Sequence, residues 1–478
     1  MQWTRMDEIQ AAIERSAPMG LSEIVTEEVR EFKRSPAYAR MREAESYFLN
    51  RSDIQRKFND IPSRSNVKME HPVLRRLITQ KVSYLLSKPF SVVTDNEAYG
   101  EALNRLFDRP FRRKLRGFVS DAIEYGIGFL QPYVDETGLA FMRLPAREVV
   151  PLWEDTEHER LQGIIRFYPQ TVYQGHRKTE ITHAELWMPD GVRYFVADGG
   201  PRGQLSFAPD PEYGEEPRPH FFWRGKGYNW ETPVTWMKYN DDELPLCYFL
   251  REMIDEINWQ NSVTADTLRD VAKFIFVLKN YGGADLAEFV TDLKQSLAVK
   301  VDADGGVDKL SADLNIDAVM SFLDSTRRDL YDYAAAVDTK DPDLGNASGT
   351  AIQFRYMDLQ TDCEALGEEL QDAVRRLKPV LDSYLTASGE EDYSGADFSL
   401  LYNMDMPVNE ADVINNARNS DGLISRRTIL ENHPWVTDVD EELERLEAEK
   451  QEAMEEAETF GFGQPPGSPD GVTDDEEP

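Results

Sequence analysis

The side chains that could carry chemistry are few and poorly spaced for it. The six histidines (His71, His158, His176, His183, His220 and His433) are scattered along the chain. No H-E-x-x-H, C-x-x-C or GxxxxGK[ST] pattern brings a base, a thiolate pair or a phosphate loop together. Asp302, Asp304 and Gly305 echo a calcium loop, but the third carboxylate and the closing glutamate are misplaced, so they read as a hairpin turn. Gly126-Ile127-Gly128 reads as the entry to a strand. No catalytic group, metal or cofactor is expected. What remains is charge at helical spacing. Asp317, Asp324, Arg328 and Asp332, with Ser321 and Ser325 between them, make a narrow polar stripe. Beyond it, residues 338–348 gather three aspartates and one lysine, and a stripe of this sign repels a polyanion.

The elements that must position these charges are a helix, a loop and a second helix. Val319, Phe322, Leu323, Leu330, Tyr333, Ala334 and Val337 share the face opposite the stripe. Asp338, Pro342, Asp343, Gly345 and Asn346 favour turns and end that helix. Thr350 and Gln353 form a T-x-x-Q capping box. From there Ile352, Tyr356, Leu359, Cys363, Leu366, Leu370, Val374, Leu377 and Leu381 keep helical spacing to about Leu385, roughly 50 Å of helix. Gly367 and Pro379 lie inside it, so a bend is expected at one or both. Such a pair also fits an ordinary core hairpin.

Composition limits the function classes. The 478 residues carry 53 Lys and Arg against 88 Asp and Glu, a formal charge of −35, with 41% hydrophobic residues. That is a globular chain long enough for two to four domains. Its acidity argues against ordinary nucleic-acid binding and against docking on an anionic membrane. No apolar run reaches the roughly 18 residues of a membrane span, and the opening MQWTRMDEIQ is too polar for a signal peptide. Cys247 and Cys363 sit in helical patterns and are expected buried and reduced, as in a cytoplasmic protein.

In chain order, helices are expected around Ile9, Ile13 and Ile24 with a break at Pro18-Met19-Gly20, from Pro36 to Leu49, and from Val73 to Lys88-Pro89. A basic, Asn- and Ser-rich connection lies before Val73. Phe90–Thr94 reads as a strand, Ala98–Phe107 and 111–125 as helices, and 129–145 as a hairpin around Glu136-Thr137-Gly138. Strands continue to about Asn240. A long helix runs from Leu244-Pro245 to about Val271. A small α/β unit, 273–316, follows, with strands at 273–279 and 298–301. Residues 399–407 read as a strand, and 409–420, 425–432 and 438–458 as helices with Asn409, Ser425 and Asp438 as N-caps. The last 41 residues carry about fourteen net negative charges, and 461–478 are expected to be disordered.

Four stretches, taken in order, resemble the portal proteins of tailed double-stranded DNA bacteriophages of the long-tailed type. NVKMEHPVLRRLITQKVSYLLSKPFSV (66–92) is similar to an early helix of that family ending in Y-L-x-G-x-P. GIGFLQPYVDETGLAFMRLPAREVVPLWED (126–155) resembles its hairpin and proline-anchored strand. LPLCYFLREMIDEINWQNSVTADTLRD is similar to its stem helix, and VDTKDPDLGNASGTAIQFRYMDLQ to the loop and helix after it. NSDGLISRRTILENHPWVTDVDEELERLEAE (419–449) matches its C-terminal pattern with G-x-I-S-x-x-T. The sequence departs from the family with His71-Pro72 where an Asn-led segment is usual, and Ser87 where Gly is usual.

The resemblance implies an α+β, mainly helical portal fold with wing, stem, clip and crown regions, and a closed ring of about twelve subunits around a DNA channel. The wing would be 1–243 with the long helix and strand of 351–405. The stem would be 244–272 and 317–337, the clip 273–316 and the crown 406–460. The tunnel loop, 338–350, would bring Asp338, Thr339, Lys340, Asp341, Pro342, Asp343, Leu344, Gly345, Asn346, Ala347 and Ser348 near DNA. Asp317, Asp324, Arg328 and Asp332 would line the channel, and Phe276, Lys279 and Tyr281 would meet a partner at the clip. Such a ring sits at one capsid vertex of the virion after assembly in the host cytoplasm. It docks the terminase, meets capsid and scaffolding proteins, and later carries head-completion and tail proteins. An acidic channel suits sliding, because it does not grip phosphates. The rival reading is a monomeric acidic adaptor or DNA mimic on a basic partner. Two long helices bracketing a small α/β module are elaborate for that role.

Overall fold

The computed structural model describes residues 5–14, 19–58, 65–174, 177–198, 205–231, 234–271, 275–279, 306–310, 316–341, 349–402, 414, 417–420, 422–431, 436 and 439–459. The chain forms two compact units, one of residues 1–339 and 356–405, the other of 340–355 and 406–478. The first is α+β.

The break expected before Leu21 separates the helices Arg5–Ile13 and Leu21–Arg34. The Gly20 N–H donates to Glu23 at 3.0 Å, which satisfies one orphan donor of the second helix. One residue, Ser35, then divides Leu21–Arg34 from Pro36–Phe48. Its hydroxyl accepts from the Tyr38 N–H at 3.1 Å, and Pro36 follows where a missing N–H is harmless. Ile9, Ile24, Val25 and Val29 pack against Ile165, Phe167, Ala184, Leu186, Phe195 and Ala197. Those residues alternate along an antiparallel meander of Val149–Trp153, Leu161–Gln174, Arg177–Met188, Gly191–Asp198 and Ala208–Pro209.

A second sheet orders Thr235–Lys238, Ile127–Asp135 and Gly138–Leu144. The helix Arg109–Tyr125 packs on it and stops at Gly126, whose φ of 89° is left-handed. A Cβ there would lie 2.1 Å from the Glu243 carbonyl oxygen, so only glycine fits. This helix buries two carboxyls. Burial pushes Asp121 up to about 7, although Arg143 at 3.1 Å pulls the other way. Burial, reinforced by Asp121, pushes Glu124 up to about 8.

The long helical pattern after Ser348 is two helices, Gly349–Arg375 and Lys378–Ser388. Pro379 lies in the first turn of the second, and its missing N–H forces a fresh start. Gly367 causes no break. A Cβ there would stand 3.4 Å from Leu85, so the glycine lets this helix lie close to Val73–Leu85. The strand Ser399–Leu401 returns to pair antiparallel with Ser91–Val93.

In the second unit the helices Arg426–Glu431 and Val439–Thr459 pack on one another. Ser425 caps the first by accepting from the Thr428 N–H at 3.2 Å. Asn409, Asp438 and the tail 461–478 lie outside the described residues.

Candidate functional site

The two long helices that flank the 273–316 unit are Leu246–Val271 and Ile316–Tyr333, and they pack on each other. Leu246–Val271 carries Asn258, Ser262, Asp266 and Asp270, one polar residue every fourth position. These capture the segment that precedes Val73. Asn258 accepts from the His71 N–H at 3.0 Å, Ser262 from Met69 at 2.9 Å, Asp266 from Val67 at 2.6 Å and Asp270 from Ser65 at 3.1 Å. The match is geometric: four helical residues rise about 6 Å and two extended residues about 6.6 Å. Every second backbone donor therefore meets the next helical turn. Asn258 and Ser262 are fully buried, and the Lys57 ammonium, largely buried, pairs with Asp266.

Ile316–Tyr333 is different. Asp317, Asp324, Arg328 and Asp332 are all exposed along it. The expected apolar face needs two corrections, the first being Phe322, which is 47% exposed. Leu330, Ala334 and Val337 are buried, but Tyr333 is 71% exposed, and Tyr331 is the buried tyrosine. Tyr331 stands under two guanidiniums, Arg76 at 6.0 Å and Arg327 at 5.8 Å. That contact takes it, rather than Tyr333, into the protomer.

The helix ends in a Schellman arrangement. Ala336 N–H donates to the Tyr331 carbonyl and Ala335 N–H to Asp332, each at 3.0 Å. The left-handed residue is Ala335, with φ of 45°, where glycine is usual. The Lys81 ammonium, fully buried, donates to the Ala335 carbonyl at 3.2 Å and to Asp362 at 2.7 Å. The preceding residue, Gln80, holds Val337 at two points, donating to its carbonyl at 2.9 Å and accepting from its N–H at 3.1 Å. Arg76 donates to the Thr339 hydroxyl at 2.7 Å. Arg327 grips Asp338 in bidentate fashion at 2.7 and 2.8 Å. The start of the 338–348 loop is therefore clamped.

Further along, Arg355 pairs with Asp341. Pro342 through Ser348 lie outside the described residues. So do Tyr281, the strand expected at 298–301 and the Asp302–Gly305 turn. In the small unit Ile275–Lys279 pairs antiparallel with Gly306–Leu310, aligning Phe276 with Lys309 and Lys279 with Gly306.

Sequence reasoning missed Arg76, Gln80, Lys81, Arg327 and Asp362. One signal was present: Lys81 interrupts the apolar spacing of Leu77, Ile78, Val82 and Leu85, and a lysine there needs a partner. Cys247 and Cys363 are buried free thiols pushed up to about 12 by burial. Among the described residues no cluster of His, Cys, Asp and Glu could hold a metal. No helix among them is long and apolar enough to cross a membrane.

Two long helices thus pack on each other on either side of a small unit, of which two paired strands are described. The family of phage portal proteins described as SPP1 Gp6-like matches residues 33–456, and the chain belongs to it. It is 27% identical over 426 residues to the portal protein of Bacillus phage SPP1, covering 86% of this chain and 83% of that one. It is 24% identical over 435 residues to the portal protein of Clostridium phage phiCD119, covering 85% and 92%. As in that family, the roles are structural: connecting head to tail and packaging the viral genome.

Proposed function

We propose that this chain closes into a homo-oligomeric ring of about twelve subunits around a DNA channel at one capsid vertex. The ring docks the packaging terminase, passes the genome inward and later outward, and carries the head-completion and tail proteins. The observation that supports this most is the exposed apolar surface of the two long helices. Tyr248, Phe249, Trp259 and Leu268 on one, and Met320 and Phe322 on the other, are each about half exposed in the single protomer. A neighbouring copy would cover them. A monomeric adaptor or DNA mimic has no use for such a surface.

In this reading Leu246–Val271 and Ile316–Tyr333 form the stem, residues 273–316 the clip and 406–460 the crown. Asp317, Asp324, Arg328 and Asp332 face the channel. The loop 338–348 touches passing DNA while its base stays fixed by Gln80, Arg76 and Arg327. A loop on a rigid base can shift its tip without disturbing the helices that carry it.

Light scattering and electron microscopy of purified protein should find closed rings with a central hole, and a folded monomer at micromolar concentration would overturn the reading. Replacing residues 341–348 by a Gly-Ser linker leaves the clamp intact. Rings should still form, and DNA packaging should stall. Packaging of full-length DNA at the normal rate would remove the loop from the mechanism.

A further inference from the structure

The chain is strongly acidic, yet residues 109–116 (RPFRRKLR) hold four arginines and a lysine. They open the helix Arg109–Tyr125, at the end where its dipole disfavours cations. A cavity of about 600 Å³ lies between these first turns and the segment 86–90. Arg109, Arg112, Arg113 and Arg116 line it above Phe90 and Leu115.

Two of the arginines are fixed by groups that leave their charge uncompensated. Arg112 donates to the Phe107 carbonyl at 3.1 Å and stands 5.1 Å over the Phe90 ring. Arg116 donates to the Leu86 carbonyl. Among the described residues none of the four pairs with a carboxylate, in a chain with 88 acidic residues. Arg109 and Arg113 are exposed.

From this we infer that the groove is a docking surface for a short acidic peptide segment of a partner protein, one that carries an apolar side chain between its carboxylates. The guanidiniums would take the carboxylates in bidentate pairs. The exposed rings of Pro89 and Pro110, with Phe90 buried beneath them, would take the apolar side chain. A duplex fits less well. It presents one charge per ~1.7 Å of axis, so its phosphates would extend beyond the patch, on a chain whose formal charge is −35. It also has no apolar group to offer the concavity.

The test uses assembled rings of the full chain and fluorescence anisotropy with three fluorescein-labelled probes: an alternating Asp-Leu peptide, an Asp-Ser peptide of equal charge, and a duplex oligonucleotide. The Asp-Leu peptide should bind about tenfold more tightly than the other two. The double variant R109E/R113E, both exposed positions, should lose that binding, and R109K/R113K should keep part of it because the charge remains. Equal binding of the peptide to wild type and R109E/R113E would overturn the inference. So would tighter binding of the duplex, which would make this a nucleic-acid surface. Failure of R109E/R113E to form rings would mark the groove as a contact between subunits, and would equally overturn it.

Discussion

The two long helices carry the same sequence signature and meet opposite fates. Leu246–Val271 and Ile316–Tyr333 each set polar residues at helical spacing opposite apolar ones. On the first, Asn258, Ser262, Asp266 and Asp270 are all engaged by the segment 65–71. On the second, Asp317, Asp324, Arg328 and Asp332 stay exposed, and the ties to the rest of the protomer gather at its end, on Lys81, Gln80 and Arg76. A polar stripe on a helix therefore does not by itself mean a solvated face. It means hydrogen-bonding capacity, and whatever unpaired backbone lies nearby decides its use. Buried carboxyls form a third case: Asp121 and Glu124 lie within the fold, where burial outweighs the pull of Arg143 on Asp121.

The contrast can be broken by substitution, taking the largest effect first. Asp266→Ala should destabilise by about 3 kcal/mol, since it leaves the largely buried Lys57 ammonium without its carboxylate and the Val67 N–H without an acceptor. Denaturant melts measure it, and a loss no larger than that of a surface substitution would mean the ladder is incidental. Lys81→Met should cost about 2 kcal/mol, because the Ala335 carbonyl loses its donor while Asp362, whose side chain is 26% exposed, can partly rehydrate. It should also slow packaging if the loop base matters.

The third test concerns pH. Asp121 and Glu124 hold protons in the fold to about 7 and about 8. In the unfolded chain they release them near the ordinary carboxyl range. Between those limits the folded state binds more protons, so their contribution to stability falls as pH rises from about 4 to about 8, and is flat above. The melting temperature of D121N/E124Q should therefore fall less with pH than that of wild type. Parallel curves would show that both carboxyls are already ionised in the fold.

Smaller effects come from the exposed stripe. Asp324→Asn with Asp332→Asn should change stability by less than about 0.5 kcal/mol, while altering the rate of DNA passage. Ala335→Gly should stabilise by about 0.5 kcal/mol, because relief of the left-handed strain slightly exceeds the added freedom of the unfolded chain. A destabilised glycine variant would mean that Lys81 already offsets the strain.

Much of this was legible in one dimension because it is local. The break before Leu21, the cap at Ser425, the end of the helix at Tyr125 and the hairpin at Glu136-Thr137 each depend on neighbours a few residues away. Helical spacing located both long helices, and the order of four weak stretches was enough to point to the family. Pairing across distance was not legible. The Ser91–Val93 and Ser399–Leu401 strands meet across some three hundred residues. The connection before Val73 read only as a basic loop, since nothing in residues 65–71 says that a helix two hundred residues later will accept its N–H groups. A helical wheel places Tyr333, not Tyr331, with the apolar face, yet Tyr331 is the one buried, under two arginines of which one is on a distant helix. Periodicity tells which side chains share a face. Only the tertiary structure tells what that face meets, because a polar group is satisfied by geometry between segments that lie far apart in the sequence.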